Sequence, residues 1–169
     1  YNRESASYSY ELNSYDGYNQ SEYPYTFGTQ DELINMVSTY NNAGVTIMED
    51  VVLNHKGYVD DDFNNLWPWE IWNVSTSQYE VQWSLADLIA NDGGTGAYEP
   101  DSQLGQWGPD LDHSSANVQA NTIRYLDFLK NTIGYKGFRY DFAKGFDTKY
   151  FTKYTLASRP TFSVGEVWD

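Results

Sequence analysis

The apolar and polar residues of this chain change their periodicity several times, and these changes predict alternating helices and strands. Leu33, Val37 and Tyr40 recur at helical spacing, and Gly44 follows as a helix stop. The segment TQDE, just before these residues, is typical of a capping box at a helix start. The pattern therefore predicts an amphipathic helix over residues 30–43.

Three largely apolar stretches predict β-strands. The first, VTIMEDVVLNH over residues 45–55, is rich in β-branched residues and shows little alternation. This pattern is typical of a parallel strand that is covered on both faces. Two further strands are predicted by KGFRYDF, over residues 136–142, and by TFSVGEVW, over residues 161–168.

Two more helices are predicted in the second half of the chain. The first is indicated by four apolar residues at helical spacing, which are Ile123, Leu126, Leu129 and Ile133. It is expected to end near Gly134. The second is indicated by Phe146, Tyr150 and Tyr154, which lie four residues apart, and Pro160 follows as its stop.

The alternation of helices and strands predicts the α/β class, with either an open sheet or a barrel. Residues 56–109 interrupt the alternation with a stretch rich in Gly, Asp, Asn and Trp, which is too long for a simple connection. We therefore predict three units: a barrel segment over residues 1–55, an inserted subdomain over residues 56–109 and a second barrel segment over residues 110–169. Three strands are too few to close an eight-stranded barrel.

The composition narrows the classes of partner. The chain carries 24 Asp and Glu against 10 Lys and Arg, for a formal net charge of −14, which argues against nucleic acid or an anionic membrane surface as partner. This charge fits a neutral substrate or bound cations, and solubility alone explains it equally well. The absence of cysteine excludes disulfides and thiolate metal sites. No apolar stretch is long enough to span a membrane.

Aromatic residues make up 18% of the chain, which is high for packing alone. Aromatic faces stack on the apolar C–H faces of sugar rings, and they also serve ordinary cores and interfaces. Because the chain starts without Met and with a polar, Tyr-rich stretch, we expect it to be a piece of a longer protein.

Polar side chains stand at the same end of all three predicted strands. Asn54 and His55 end the first strand, Arg139 and Asp141 lie on the second, and Glu166 lies on the third. The carboxyl ends of parallel strands meet at one face, where α/β folds build their sites. We therefore expect these residues to converge.

Arg139 and Asp141 share a strand face, and the guanidinium favours the ionised carboxylate that a nucleophile requires. Glu166 lies among apolar neighbours, and partial burial would raise its pKa, as suits a general acid. Paired carboxylates with separated pKa values are typical of glycoside hydrolysis. The alternative is a structural ion pair at one strand end and a solvated glutamate at another.

Several segments together resemble the alpha-amylase family of glycoside hydrolases. DVVLNH (50–55), GFRYDFAKG (137–145) and GEVW (165–168) resemble three signature segments of that family. GPDLDH (108–113) resembles a segment that closes the family's inserted domain, and the resemblance covers roughly residues 28–169. It implies a partial (β/α)8 TIM barrel with a loop-rich domain inserted after the third strand.

The resemblance implies a role for each matching residue of the reaction site. Asp141 matches the catalytic nucleophile, Arg139 the arginine that keeps it ionised, and Glu166 the general acid/base. The implied reaction is retaining hydrolysis of internal α-1,4 bonds in starch-like glucans. Retention implies that the carboxyl groups of Asp141 and Glu166 lie about 5–5.5 Å apart, across a gap that one glucose unit could occupy. His55 and Lys144 match residues that contact the substrate, and Lys144 with its following glycine is similar to plant and archaeal members.

The aromatic Trp168 is also expected at the substrate cleft. Trp67, Trp69, Trp72 and Trp83 are instead expected in the core of the inserted subdomain.

The resemblance also implies a structural calcium ion. Asn54, Asp110 and the backbone carbonyl of Gly145 match family ligands, and Asp101 is a further candidate. Ca²⁺ takes six to eight oxygen ligands from such groups. A cation joining the insertion to the barrel would stabilise a segment with few apolar runs. The alternative is that the two aspartates are ordinary turn residues.

The family's third carboxylate, an aspartate after a second Asn-His pair, has no counterpart here. We therefore expect the 169 residues alone to be inactive or nearly so. The resemblance further implies that the full-length protein is a secreted or periplasmic monomer. The alternatives are a related alpha-glucosidase or transglucosylase, or an inactive glucan-binding protein. Two other residues receive structural predictions: Asp50 is expected to be a hydrogen-bonded structural group, and His113 to cap the helix that follows it.

Overall fold

The computed structural model describes residues 30–55, 72–73, 78–79, 84–98 and 109–167. Its elements, in chain order, are α1 (Gln30–Asn42), β1 (Met48–Val52), β2 (Trp72–Asn73), β3 (Gln78–Tyr79), the 3₁₀ turns Leu85–Asp87 and Ala90–Asp92, α2 (Ala116–Phe128), a π-helical turn (Leu129–Ile133), β4 (Gly137–Asp141), α3 (Thr148–Ser158) and β5 (Phe162–Gly165). None of the helices in these residues is long and apolar enough to cross a membrane.

Strands β1, β4 and β5 form a parallel sheet in the order β1-β4-β5. The register places Asp50 opposite Arg139 and Val52 opposite Asp141, so the carboxyl-terminal ends of β1 and β4 lie side by side. Because Val51 and Phe138 are fully buried, these strands are covered as the unbroken apolar sequence predicts. The predicted α/β alternation is thus confirmed for the described residues.

Helix α1 follows the predicted span to within one residue. Val37 is fully buried, and Gly44, at φ 81°, adopts the left-handed conformation that ends the helix. The backbone N–H of Val45 donates to the carbonyl of Tyr40 at 2.9 Å and closes the turn. The Tyr40 ring is 49% exposed, so its predicted place on the buried face is wrong.

Helix α2 begins at a side-chain cap and ends at Gly134. The hydroxyl of Ser115 accepts from the backbone N–H groups of Asn117 and Val118, which satisfies the first turn. The predicted capping role of His113 is therefore wrong. The helix continues into the π-helical turn, and Gly134 at φ 99° stops it as predicted.

Helix α3 packs its aromatic face against the core. Asp147 caps its start by accepting from the N–H of Lys149 at 2.9 Å. Its other end is held by Lys130, whose Nζ donates to the carbonyls of Ser158 at 2.7 Å and Arg159 at 2.8 Å. Lys130 therefore ties the π-helical turn that follows α2 to the carboxyl-terminal end of α3.

Strand β5 is present as predicted but is the least covered strand of the sheet. In the described part of the chain it pairs with β4 only, and Phe162 and Val164 are exposed. The structure therefore contains an α/β segment with a three-stranded parallel sheet, short of the strand number that a closed barrel needs.

Candidate active site

The carboxyl ends of the parallel strands bring the predicted reaction residues together. Arg139 Nη1 lies 2.6 Å from Asp141 Oδ1, and Arg139 Nη2 lies 2.7 Å from Glu166 Oε1. Asp141 is the last residue of β4 and Glu166 directly follows β5. The parallel register of these two strands therefore brings Asp141 and Glu166 close together. The predicted convergence of these three residues is what the structure shows.

The guanidinium of Arg139 also binds a carboxylate that was expected to be structural. Asp50 Oδ1 lies 2.5 Å from the same Nη1 atom that contacts Asp141. One guanidinium therefore serves three carboxylates. The hydrogen bond that Arg139 donates to Asp50 is the largest cause of its raised pKa, and the bond that it donates to Asp141 adds to it. Asp50 is hydrogen-bonded, as predicted, and its partner belongs to the candidate site.

The pKa of Asp141 is raised, which differs from the prediction that Arg139 keeps it readily ionised. Burial is the largest cause, and a side-chain hydrogen bond with Glu166 raises the pKa further. Arg139 lowers the pKa, as expected, but does not outweigh burial. The predicted gap of one glucose unit between the two carboxyl groups also differs from the structure, because these side chains contact each other and share Arg139.

The backbone after β4 fixes the position of Glu166. The Glu166 N–H donates to the carbonyl of Tyr140 at 2.9 Å, and its own carbonyl accepts from Ala143 N–H at 2.8 Å. The N–H of Phe142 donates to Glu166 Oε2 at 3.2 Å. Phe142 has φ 45°, a strained conformation for an aromatic residue, and such strain is common at functional sites. The strained turn thus holds the glutamate side chain beside Asp141.

Asn54, Asp110 and Gly145 meet in a buried oxygen-rich site beside the sheet. Asn54 Nδ2 donates to Asp110 Oδ1 at 2.9 Å, and both residues are almost fully buried. Asn54 Oδ1 is buried and has no hydrogen-bond partner among the described residues. A Cβ atom added at Gly145 would overlap this oxygen, so the Gly145 backbone lies directly against it.

These residues fit a calcium ion by their chemistry. Ca²⁺ prefers oxygen ligands from amides, carboxylates and peptide carbonyls. The site offers the unpartnered amide oxygen of Asn54, the carboxylate of Asp110 and the nearby backbone of Gly145. No group of three or more His, Cys, Asp or Glu side chains in the described residues is arranged to hold a metal, so amide and carbonyl oxygens would be needed. The fourth candidate, Asp101, lies outside the described residues.

The three predicted substrate-binding residues have different outcomes. His55 follows β1, is buried, and has its pKa lowered to about 4, chiefly by burial, so its ring is neutral near pH 7. A neutral imidazole both donates and accepts, as contacts with sugar hydroxyls require. Lys144 is exposed in the turn after β4. Trp168 lies outside the described residues, as do the side chains of Trp67, Trp69, Trp72 and Trp83.

Sequence reasoning missed the contacts of His113. Its ring is fully buried and stacks on Phe146 with centroids 3.7 Å apart. Nε2 donates to the carbonyl of Leu53 at 2.9 Å, and Nδ1 lies 2.6 Å from the hydroxyl of Tyr154. His113 therefore ties the exit of β1 to α3. Its place three residues before α2 gave no sign of these distant partners.

The fold and the site together define a class: an α/β segment with paired carboxylates at the carboxyl ends of parallel strands. No family model matches the chain. It is 31% identical over 146 residues to alpha-amylase 3, chloroplastic, of Arabidopsis thaliana, covering 85% of this chain and 16% of that protein. It is 27% identical over 146 residues to probable alpha-amylase 2 of the same plant, covering 85% of this chain and 33% of that protein.

Solved structures agree at the level of the fold. An alpha-amylase from Malbranchea cinnamomea matches with a TM-score of 0.56 and 22% identity, covering 85% of this chain and 30% of that one. An alpha-amylase from Geobacillus thermoleovorans, complexed with acarbose, matches with a TM-score of 0.56 and 17% identity, over 85% of this chain and 30% of that one. The chain belongs to the alpha-amylase family of glycoside hydrolases, and it spans 16% and 33% of its two plant relatives.

Proposed function

We propose that this chain supplies the nucleophile and the general acid/base of a retaining hydrolase that cleaves internal α-1,4 bonds in starch-like glucans. The observation that carries the proposal is the placement of Asp141 and Glu166 on one guanidinium at the carboxyl end of the sheet. The active form is a longer polypeptide that closes the barrel and contributes the family's third carboxylate. Similarity to alpha-amylases supports the choice of substrate class.

In this reaction Asp141 attacks the anomeric carbon while Glu166 protonates the departing glycosidic oxygen. A glycosyl ester on Asp141 results, and the leaving sugar takes the proton of Glu166. Glu166 then accepts a proton from water, which attacks the anomeric carbon and releases Asp141. Burial and the contact with Glu166 raise the pKa of Asp141, so its ionised, attacking form is reached at a higher pH than in a free aspartate.

Substrate binding must separate the two carboxyl groups. Retaining glycosidases hold their carboxyl groups about 5–5.5 Å apart, farther than a direct hydrogen bond allows. Arg139 can keep both anchored during this opening, because Asp141 and Glu166 bind different nitrogens of its guanidinium. The neutral ring of His55 and the exposed Lys144 are proposed to hold the sugar from the end of β1 and the turn after β4.

A calcium ion is proposed at Asn54, Asp110 and the carbonyl of Gly145. When bound it would supply a structural cross-link without taking part in bond cleavage. The chain's own contribution there is to hold the Asn54 amide against Asp110 and to keep a residue without a side chain at Gly145.

The test is to express the complete coding sequence that contains this chain and to assay soluble starch. We expect release of reducing ends with retained configuration, and loss of turnover in Asp141→Asn and Glu166→Gln. Asp127→Asn, which changes an exposed carboxylate on α2, serves as the matched control and keeps wild-type activity.

Other outcomes separate the alternatives. Preferred action on maltose or sucrose would indicate an alpha-glucosidase or transglucosylase. A wild-type protein that binds glucan without turnover, and binds equally after Asp141→Asn, would contradict the proposal and indicate a glucan-binding protein.

A further inference from the structure

Asp50 forms an ion pair with Arg139 of the candidate site, but the proposed reaction gives Asp50 no role. The residue sits in the middle of β1, directly opposite Arg139 of β4 in the parallel register. Its Oδ1 lies 2.5 Å from Arg139 Nη1, the shortest of the three ion pairs of that guanidinium. Its side chain is 52% exposed, against 24% for Asp141.

Asp50 and Asp141 bind one and the same nitrogen. Nη1 carries two N–H groups and donates to both carboxylates, while Nη2 serves Glu166. Neither aspartate therefore has the guanidinium to itself, whereas a carboxylate gains the most from a guanidinium through two parallel N–H···O bonds. Asp50 thus takes a share of the positive charge that would otherwise stabilise ionised Asp141, and it adds a second negative charge beside the pair.

The charged surroundings of Asp141 come from all three strands. Arg139 lies on its own strand β4, Asp50 on β1, and Glu166 directly after β5. His55 and Lys144 follow β1 and β4 at the same end of the sheet. Of the three carboxylates that the described residues place on Arg139, Asp50 is the one that takes no part in the proposed reaction. It can therefore be substituted while Asp141 and Glu166 are kept.

We infer that Asp50 is a positioning residue that anchors Arg139 and sets the pH at which Asp141 ionises, by sharing the Nη1 atom with Asp141 and placing a second negative charge beside it. The inference rests on the proposed function, since Asp141 is the nucleophile only there. In the simpler alternative, Asp50 supports only the pairing of β1 with β4. A purely structural role changes stability and leaves the pH dependence of the reaction where it was.

The test compares two variants of the full-length protein, Asp50→Asn and Glu49→Gln. Both remove one negative charge from β1, but successive residues of a strand face opposite sides, so Glu49 points away from Asp50. In Asp50→Asn the amide oxygen can still accept from Nη1, and the competing charge is gone. We expect the acidic limb of kcat/KM to move to lower pH. Relative kcat/KM one pH unit below the wild-type midpoint should rise about two- to threefold.

Glu49→Gln is expected to leave that limb unchanged. If Asp50→Asn does not fold, Asp50→Ser removes the same charge and is measured in its place. An active wild type whose acidic limb is the same in Asp50→Asn and Glu49→Gln would overturn the inference and leave the proposed function standing. A wild type with no glycosidase activity would overturn the proposed function, and this inference with it.

Discussion

The residue on which the candidate site depends most is Arg139, because its two terminal nitrogens set where three carboxylates lie. A planar guanidinium can bind several carboxyl oxygens in fixed directions, which a lysine ammonium cannot. The result is a cluster in which burial and like charge raise the pKa of Asp141 and the arginine opposes them. Much of the chemistry expected of the chain follows from that balance.

We expect Asp141→Asn to abolish turnover and to stabilise the fold near pH 7. The raised pKa of Asp141 means that the folded chain holds this proton more tightly than the unfolded chain does. The corresponding stability is present below the unfolded pKa and is lost as pH rises through the folded pKa. Asn has no charge to bury, so Tm should rise, while kcat should fall by at least about 10³-fold.

Thermal melts and starch assays of the same preparations check both effects, with Asp127→Asn as the control that changes neither. A lower Tm for Asp141→Asn at neutral pH would show that Arg139 outweighs burial after all.

A second residue-scale prediction concerns Gly145. Gly145→Ala is expected to destabilise the protein by about 2–3 kcal/mol, because the new Cβ would overlap Asn54 Oδ1 and crowd Phe142. Gly44→Ala is the control: its Cβ would meet nothing within 4 Å, and only its positive φ costs about 1 kcal/mol. Urea unfolding measures both variants. Equal losses would contradict the close approach of Gly145 to Asn54.

At the scale of elements, His113 connects the end of β1 to α3 while remaining uncharged. Burial lowers its pKa from 6.5 to about 3, so between these values the unfolded chain binds a proton that the folded chain does not. This contribution to stability is complete above pH 6.5 and is lost as pH falls, by up to about 1.4 kcal/mol per pH unit.

His113→Gln should therefore flatten the pH dependence of the unfolding free energy, because Gln does not titrate. Urea unfolding between about pH 7 and pH 4 measures the slope for wild type and variant. Tyr154→Phe, which removes the hydroxyl beside Nδ1 and keeps the histidine, should retain most of the slope. Identical slopes in wild type and His113→Gln would contradict the buried, neutral state of His113.

The order and bounds of the elements follow closely from the sequence, because they depend on local pattern. α1, the stop at Gly134 and the parallel strands were all predictable from periodicity and glycine. The contact of Asn54 with Asp110 crosses 56 residues, and periodicity carries no information on such a contact. It was reached only through resemblance to a family.

The ion pair between Asp50 and Arg139 was more nearly predictable from the sequence than the contact of Asn54 with Asp110. A charge inside an apolar strand needs a partner, and Arg139 stood in the neighbouring predicted strand. What the sequence lacked was the register that places the two opposite each other. Likewise, the pKa of Asp141 depends on how far burial outweighs the effect of Arg139. That burial comes from segments distant in the sequence, and the local pattern does not define it.

At the scale of the whole molecule, the chain's net charge of −14 makes a bound cation favourable. If calcium binds at Asn54 and Asp110, chelation with EGTA should lower Tm by several degrees and added Ca²⁺ should restore it. Saturating ligand stabilises by about 2.7 kcal/mol at about 100 Kd. Asp110→Asn should melt at the chelated temperature and respond to neither reagent. A wild-type Tm that is insensitive to EGTA would contradict the calcium site.

Asp141 is proposed to be the nucleophile on which the glucosyl unit is carried. The most direct measurement is to treat the full-length protein with a fluorinated α-glucosyl fluoride that slows hydrolysis of the intermediate, and to locate the label by mass spectrometry of peptides. We predict one added fluoroglucosyl group on Asp141, absent in Asp141→Asn. A label on another residue, or turnover of starch with no covalent intermediate and with inversion at the anomeric carbon, would contradict it.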